Sequence, residues 1–327
     1  MKLGFLVLAL MLAACGDDGP PAAATPTFTI DTNRITVSGV SSGAMMATQM
    51  HVALSDLVHG SAMIAGGPYY CAEGGLKKGL GPCMNGGDLG LPALIDYAKT
   101  NSASGSIADI ANLSDDPVWL FSGKNDAVMH HDVTIAARDF YSEVAGTTAI
   151  VVDDVAAPHG FPTLYSGASC TSMADPFLNA CNYDAAGELL RALYGELQPR
   201  GEASEDMLEI SQPMAGEATM LPTALAYVPK ACRDGETCGI HIAFHGCQQS
   251  TAFVGDVFAR KAGYNEWAET NKLIILYPQV DSSKIAPMNP MGCWDWWGYT
   301  GDEYATRAGE QIVVVKNMID ALAGKSL

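Results

Sequence analysis

Apolar and polar positions alternate between strand-like and helix-like segments along the chain. The stretch from Thr29 to Ser38 is rich in Thr, Ile and Val, which predicts a strand, and Ser42 to Leu57 predicts a helix rich in Ala and Met. Further strands are predicted at Gly60–Ala65, Val118–Ser122, Ala149–Val152, Ala224–Val228, Ile240–Phe244 and Leu273–Tyr277, and further helices at Ala185–Tyr194 and Thr251–Thr270. Interleaved strands and helices predict an α/β fold, in which a mainly parallel sheet is covered by helices on both faces.

The N-terminal segment indicates export. Lys2 precedes an apolar run from Leu3 to Met11 that is too short to cross a bilayer, so residues 1–14 are interpreted as a signal peptide. The run ends in Leu-Ala-Ala-Cys, which resembles a lipobox and predicts lipidation of Cys15; an ordinary secretory signal is the alternative. We expect a protein that is anchored by lipid in the periplasm or at the cell surface, or one that is secreted.

Composition predicts a flexible tether at residues 15–26, which hold nothing to bury, and one folded domain at residues 27–327. The polar stretch from Gly201 to Gly216 is interpreted as a surface excursion of that domain. Without the signal peptide and its Lys2, 36 acidic residues face 17 basic ones. This charge repels nucleic acid and anionic membranes, so we expect no nucleic-acid partner and contact with a membrane only through the lipid anchor. We also expect a monomer.

The cysteine count points to disulfides. Nine cysteines become eight if Cys15 carries lipid, and an even number in an exported protein favours disulfide bonds. No pair has the CxxC spacing of a zinc site, so we expect no metal. Eight cysteines allow 105 pairings. Sequence order favours Cys71 with Cys83, Cys170 with Cys181, Cys232 with Cys238, and Cys247 with Cys293.

A nucleophile motif lies between the first predicted strand and the first predicted helix. Gly39 to Gly43 fits G-x-S-x-G, in which the serine occupies a strained strand-to-helix turn and the glycines allow close backbone approach. The pattern centres on Ser41 and makes Ser42 the next residue, whose N–H is expected to donate to an oxyanion. A serine hydroxyl needs a base and an orienting carboxylate, which predicts an Asp and a His on later post-strand loops.

One candidate of each kind lies where an α/β-hydrolase would place it. Asp126 follows the predicted strand at 118–122, and His159 stands in a Pro-His-Gly turn after the strand at 149–152. His130 and His131 are too close to Asp126 in sequence and are interpreted as loop or helix-start residues. His51 and His59 are interpreted as structural, and His241 lies within a predicted strand. The predicted triad is therefore Ser41, Asp126 and His159.

The segment expected to complete the oxyanion hole lies in an unusual place. A His-Gly loop normally precedes the nucleophile, but here it follows the candidate histidine, at His245 and Gly246. This order predicts a circular permutation, which is tolerated when chain termini are close together at the surface. His245 is then a turn-organising residue, and the N–H of Cys247 is the second expected oxyanion donor.

Together these segments resemble the single-domain, circularly permuted poly(hydroxybutyrate) depolymerases and related secreted esterases. The resemblance covers most of the chain after residue 26 and is carried by Gly39–Ala47, Gly123–Asp126, His159–Thr163, Cys181–Gly187, Phe244–Gln249 and Asn289–Trp296. It implies the same triad and oxyanion donors, and a substrate crevice lined by Trp294, Trp296 and Trp297. It also implies hydrolysis of a polyester or its oligomers without metal or organic cofactor. A feruloyl or acetyl xylan esterase and a catalytically inactive binding lipoprotein are the alternatives.

Overall fold

The computed structural model describes residues 25–213 and 219–325. The predicted signal peptide, Cys15 and the tether up to residue 24 lie outside the described residues. Within these ranges the strands are β1 (Ile30–Val40), β2 (Ser61–Ile64), β3 (Val118–Phe121), β4 (Ile150–Val152), β5 (Phe161–Thr163), β6 (Ala168–Ser169), β7 (Leu178–Ala180), β8 (Leu208–Ser211), β9 (Thr223–Tyr227), β10 (Cys238–Phe244) and β11 (Leu273–Tyr277). The helices are α1 (Ser42–Ala53), α2 (Leu76–Leu80), α3 (Pro82–Asn85), α4 (Leu91–Ser104), α5 (His131–Ala145), α6 (Ala185–Tyr194), α7 (Lys230–Arg233), α8 (Thr251–Val254), α9 (Val257–Lys261), α10 (Tyr264–Asn271) and α11 (Glu310–Leu322), with a 3₁₀-helix at Ile110–Asp115.

Eight strands form one sheet in the order β4-β3-β2-β1-β10-β11-β9-β8. The six strands from β4 to β11 are parallel, and β9 and β8 add an antiparallel edge. A small second sheet has the order β5-β7-β6. The mainly parallel sheet confirms the predicted fold class, and it gathers the carboxyl ends of β1, β3 and β10 at one edge, where α/β proteins bind their ligands.

Helices cover both faces of the large sheet, as the strand sequences require. Ile240, Ile242 and Phe244 of β10 belong to a core with α1, α4, α5 and α11. On β11, Ile275 and Tyr277 face the opposite core, which includes α6, α9 and α10. All of α1 is buried, which accounts for its Ala- and Met-rich composition. In the described ranges, no helix is long and apolar enough to cross a membrane.

The two ends of the described chain meet. The N–H of Phe28 donates to the carbonyl of Leu322 at 2.8 Å, while β10 and β11, late in sequence, continue the sheet from β1. Adjacent termini are the condition under which a chain can be permuted at little cost. The strand order agrees with the predicted circular permutation.

Two local predictions need correction, and three short strands were missed. The polar stretch from Gly201 to Gly216 contains β8, which pairs with β9 and forms the sheet edge, so it is not only a surface excursion. The helix predicted over Thr251–Thr270 is three short helices, because Gly255 and Gly263 adopt φ of 61° and 99° and interrupt it. The strands β5, β6 and β7 were not predicted, since segments of two or three residues carry no periodic signal.

Candidate active site

Ser41 lies at the tight turn between β1 and α1. Its φ of 57° and ψ of −120° are rare for a residue with a side chain, and its N–H donates to the carbonyl of Ile64 at 2.9 Å. The glycines of the motif are required by close approach. A Cβ on Gly39 would lie 2.1 Å from the carbonyl oxygen of Gly43, and one on Gly43 would lie 2.4 Å from the carbonyl oxygens of Phe244 and His245. The turn therefore presses α1 against the end of β10.

The two other predicted triad side chains are brought to Ser41. The His159 Nε2 atom is 3.0 Å from the Ser41 Oγ atom, and its Nδ1 atom is 2.9 Å from Oδ2 of Asp126. The other carboxylate oxygen of Asp126 accepts the N–H groups of Val128 and Met129, both at 2.8 Å. The carboxylate is thus held in place and directs its free oxygen at the imidazole. A serine with this base and this orienting acid can attack a carbonyl carbon.

Backbone contacts hold the loops of Asp126 and His159 together. The N–H of Asn125 donates to the carbonyl of Ala157 at 3.1 Å, and the Asn125 side chain donates to the carbonyl of Ala156 at 3.1 Å. A Cβ on Gly123 would lie 2.3 Å from the Ala157 oxygen, so this close approach needs glycine. The carboxylate and the imidazole are therefore positioned by backbone as well as by their own hydrogen bond.

The two expected oxyanion donors belong to residues that line the same cavity as Ser41. Ser42 is the first residue of α1, where an amide has no acceptor within the helix. Cys247 follows Gly246, whose ideal Cβ position is 3.6 Å from the Cβ atom of Ser41. Along the stretches 25–213 and 219–325, the N–H of Cys247 donates to no protein acceptor. Both amides therefore stay candidates for the oxyanion hole.

A cavity of about 470 Å³ opens above Ser41 and His159. Its walls are mainly apolar and rich in methionine. The apolar lining residues are Val40, Met45, Leu76, Leu80, Met84, Val128, Met129, Met173, Phe177, Met288, Pro290, Met291, Trp296 and Trp297. Unbranched thioether side chains adapt their shape to a ligand, so this cavity suits a flexible apolar chain with a carbonyl placed at Ser41.

The three tryptophans of the predicted crevice have different positions. Trp296 and Trp297 line the cavity and pack edge to face, with ring centroids 5.6 Å apart. Trp294 does not line it. Its indole is fully buried beside Phe244 and His245, at centroid distances of 4.8 and 5.5 Å. The expectation that Trp294 contacts substrate is therefore corrected: it is a core residue, because its side chain lies on the inner side of the segment.

Four disulfides are present, with the connectivity expected from sequence order. They join Cys71 to Cys83, Cys170 to Cys181, Cys232 to Cys238, and Cys247 to Cys293. The last of these connects the expected oxyanion loop to the segment that carries the cavity tryptophans. The two walls of the cavity are thus covalently linked.

Two buried histidines are excluded as bases by their surroundings. His245 donates from Nδ1 to the Gly246 carbonyl at 2.7 Å and accepts at Nε2 from the Val280 N–H at 3.3 Å, which makes it the turn-organising residue expected. His241 is bonded by two hydroxyl groups in the core, at 2.7 Å each. Burial lowers the pKa of His245 to about 4 and that of His241 to about 3, so both are neutral at neutral pH.

The sequence analysis predicted no role for some of the residues that line the cavity. Gln249 lies at its edge and is nearly fully buried, and Phe177 forms part of its wall with a φ of 57°. Gln249 belongs to the Phe-His-Gly-Cys-Gln-Gln segment, so its place in that motif was the available signal. Phe177 had none, because nothing in the local sequence indicates that its turn lies against the cavity.

The chain is similar to known proteins over nearly its whole length, although no protein-family model matches it. It is 38% identical over 323 residues to a poly(3-hydroxybutyrate) depolymerase of Delftia acidovorans, an alignment that covers 95% of this chain and 64% of that relative. It is 35% identical over 327 residues to a polyhydroxybutyrate depolymerase of Talaromyces funiculosus, with 94% of this chain and 95% of that relative covered. The chain thus spans less than two thirds of the Delftia relative.

Two solved structures are similar as well. The crystal structure of the PHB depolymerase from Penicillium funiculosum has a TM-score of 0.87 at 32% identity and covers 92% of this chain and 99% of that chain. A serine-to-alanine variant of a PHB depolymerase, complexed with an R3HB trimer, has a TM-score of 0.86 with the same identity and coverage.

Proposed function

The chain belongs to the polyhydroxybutyrate depolymerase family, and we propose that it is a serine esterase that hydrolyses polyesters of the poly(3-hydroxybutyrate) type or their oligomers. The observation that carries this proposal is the hydrogen-bonded series from Ser41 through His159 to Asp126 at the floor of an apolar cavity. Residues 27–327 are its catalytic domain.

The reaction proceeds through an acyl-enzyme. The Ser41 Oγ atom attacks the ester carbonyl carbon while His159 takes the hydroxyl proton at Nε2, and Asp126 orients the imidazole and stabilises its positive charge. The tetrahedral intermediate expels the alcohol end of the polymer, which leaves with the proton from His159. Water then attacks the acyl-enzyme by the same route and releases a carboxylate, so each cycle converts one ester and one water into an acid and an alcohol.

The negative charge on the carbonyl oxygen is held by the Ser42 and Cys247 amides. Fixed amide donors at about 2.7 to 3.1 Å from the developing charge lower the barrier, and removal of one such donor costs about a hundredfold to a thousandfold in rate. Ser42 lies at the N-terminus of α1, whose aligned peptide dipoles add positive potential there. No metal or organic cofactor enters this reaction.

The shape and chemistry of the cavity favour a polyester substrate. A related depolymerase has been captured with an R3HB trimer, and the methionines, Trp296 and Trp297 of this cavity present apolar surface to such a chain. A feruloylated or acetylated xylan would bring hydroxyl groups that need polar partners. The methionine-rich walls therefore favour the polyester over the glycan ester.

We propose that the enzyme is located outside the cytoplasm. Four disulfides are typical of an oxidising compartment, and the sequence before residue 15 has the form of an export signal. Lipidation of Cys15 would hold the enzyme at a membrane surface. A Cys15→Ser variant should then leave the membrane fraction with its specific activity unchanged; a wild-type protein that is soluble and begins well past residue 15 would contradict the anchor.

Three substrates offered to the purified protein test the function. We expect release of soluble hydroxyacid oligomers from amorphous poly(3-hydroxybutyrate), turnover of a nitrophenyl butyrate, and little release of ferulate or acetate from esterified xylan. A preference for the esterified xylan would show that the protein is a feruloyl or acetyl xylan esterase instead. A protein that binds polyester film and turns over no ester would be a binding lipoprotein.

Ser41→Ala and Ser42→Ala form a matched pair for the site. Ser41→Ala should remove at least three orders of magnitude in kcat without unfolding the protein. Ser42→Ala keeps the backbone amide and should retain most turnover. If Ser42→Ala were inactive and Ser41→Ala active, the nucleophile would be Ser42 and our assignment would be wrong.

A further inference from the structure

The Gln249 side chain joins two segments that both line the cavity. Its Oε1 atom accepts the N–H of Gly246 at 2.7 Å, and its Nε2 atom donates to the carbonyls of Pro176 and Phe177 at 2.8 and 3.2 Å. One acceptor and two donors are thereby used, and the side chain is 2% exposed. An amide that is fully bonded at both ends and shielded from water holds its partners at a defined separation.

Each partner of Gln249 is adjacent to the reacting groups. Gly246 precedes Cys247, the proposed oxyanion donor, and its ideal Cβ position lies 3.6 Å from the Ser41 Cβ atom. On the other side, the Phe177 carbonyl also accepts the N–H of Phe161 at 2.8 Å, two residues after His159. Gln249 therefore connects the oxyanion loop to the loop of the base.

The bond to Gly246 also selects the oxyanion donor. An N–H that is committed to Gln249 at 2.7 Å is not available to the substrate, so the next amide, that of Cys247, is left to bind the oxyanion. We propose that Gln249 is a positioning residue, which holds the His245–Gly246 peptide, and with it the residue just before Cys247, at a fixed distance from the loop of His159. This inference rests on the proposed esterase function and assigns to that site a determinant outside the triad.

Loss of the Gln249 bonds should act on the transition state more than on substrate binding. The oxyanion charge exists only after attack by Ser41, so a displaced Cys247 amide weakens an interaction that the bound ester does not yet make. A misplacement of about 1 Å can cost about a hundredfold in rate. We expect Gln249→Met, which preserves volume, to lower kcat about 10- to 100-fold with KM within about threefold of wild type.

Gln212 provides a matched control. It is also 2% exposed, and its side chain accepts the Gln279 N–H at 2.8 Å and donates to the carbonyls of Leu221 and Gln279. It does not line the cavity. Gln212→Met should therefore reduce the melting temperature by an amount similar to that for Gln249→Met, while kcat stays at the wild-type value.

The experiment compares wild type, Gln249→Met and Gln212→Met by melting curve, by kcat and KM on nitrophenyl butyrate, and by the rate of covalent labelling with a fluorophosphonate. A loss of kcat and of labelling rate in Gln249→Met alone is the expected result. Equal kcat in the two folded variants, or a change confined to KM, would overturn the proposal.

Two further measurements distinguish a failure to fold and a failure of the proposed function from a failure of the Gln249 proposal. If Gln249→Met does not fold, Gln249→Asn and Gln212→Asn replace the pair, since the shorter side chain keeps the amide group but cannot reach both sets of partners. If the wild type is labelled by the fluorophosphonate but hydrolyses no ester, the proposed function fails, while the ratio of labelling rates still decides the role of Gln249.

Discussion

Substitution of Gly43 by alanine would test whether the spacing between α1 and β10 sets the rate. The new methyl group would lie 2.4 Å from the carbonyl oxygens of Phe244 and His245, whereas ordinary contact begins at 3.4 Å. Both obstacles are backbone atoms, so α1 and the β10 end must separate by about 1 Å. Ser42 moves with α1, and Cys247 stays with β10, so the two proposed oxyanion donors move apart.

The cost should appear mainly in turnover. Overpacking destabilises a folded protein by about 1 to 3 kcal/mol, less than the roughly 5 to 15 kcal/mol by which native proteins are stable. Gly43→Ala should therefore stay folded. A shift of about 1 Å at a catalytic donor costs about a hundredfold in rate, so kcat should fall by that order.

Kinetics on nitrophenyl butyrate and on amorphous polymer, beside a melting curve and titration of active sites with a phosphonate, would measure this effect. Gly75→Ala is the control, because a Cβ at that position meets only the Ala72 carbonyl at 3.6 Å and its φ of −136° suits alanine. A folded Gly43→Ala enzyme with turnover within threefold of wild type would refute the assignment of the Ser42 amide to the oxyanion hole.

Three further predictions concern the cavity and the core. The double variant Cys247→Ala, Cys293→Ala removes a disulfide that closes a loop of 46 residues and contributes about 4 kcal/mol to stability in the chain-entropy account. It should stay folded at 25 °C, and its turnover of polymer should fall more than its turnover of the small ester. Unchanged polymer turnover would contradict this prediction. Trp296→Ala should lower polymer hydrolysis about tenfold more than nitrophenyl butyrate hydrolysis, and an equal loss on both would exclude a substrate role. The pKa of His241 is about 3 in the folded protein and 6.5 in the unfolded chain, so the folded state loses about 3 kcal/mol of stability between pH 6.5 and pH 4.5. The urea midpoints at pH 7 and pH 4.5 should therefore differ more for wild type than for His241→Gln. Equal differences in the two proteins would refute this.

Local sequence patterns predicted the features that depend on neighbours in the chain. The apolar runs that became β3, β10 and β11 are buried on both faces, so their composition alone marks them as strands inside the sheet. The elbow at Ser41 was recognisable because two glycines and a serine meet a steric requirement within five residues. The order of residues along the chain was enough to predict the disulfide connectivity. It was also enough to place Asp126 and His159 on loops that follow strands.

Tertiary structure alone decided how distant segments approach. Trp294 and Trp296 differ by two positions, yet one indole is buried beside Phe244 and the other faces the cavity, because the turn around them determines their direction. The Leu-Glu-Ile-Ser sequence of β8 alternates apolar and polar residues, but only its pairing with β9 decides that this short segment is a strand. Gln249 reaches carbonyls more than seventy residues away. Such contacts depend on packing geometry, which a periodic pattern along one segment does not encode.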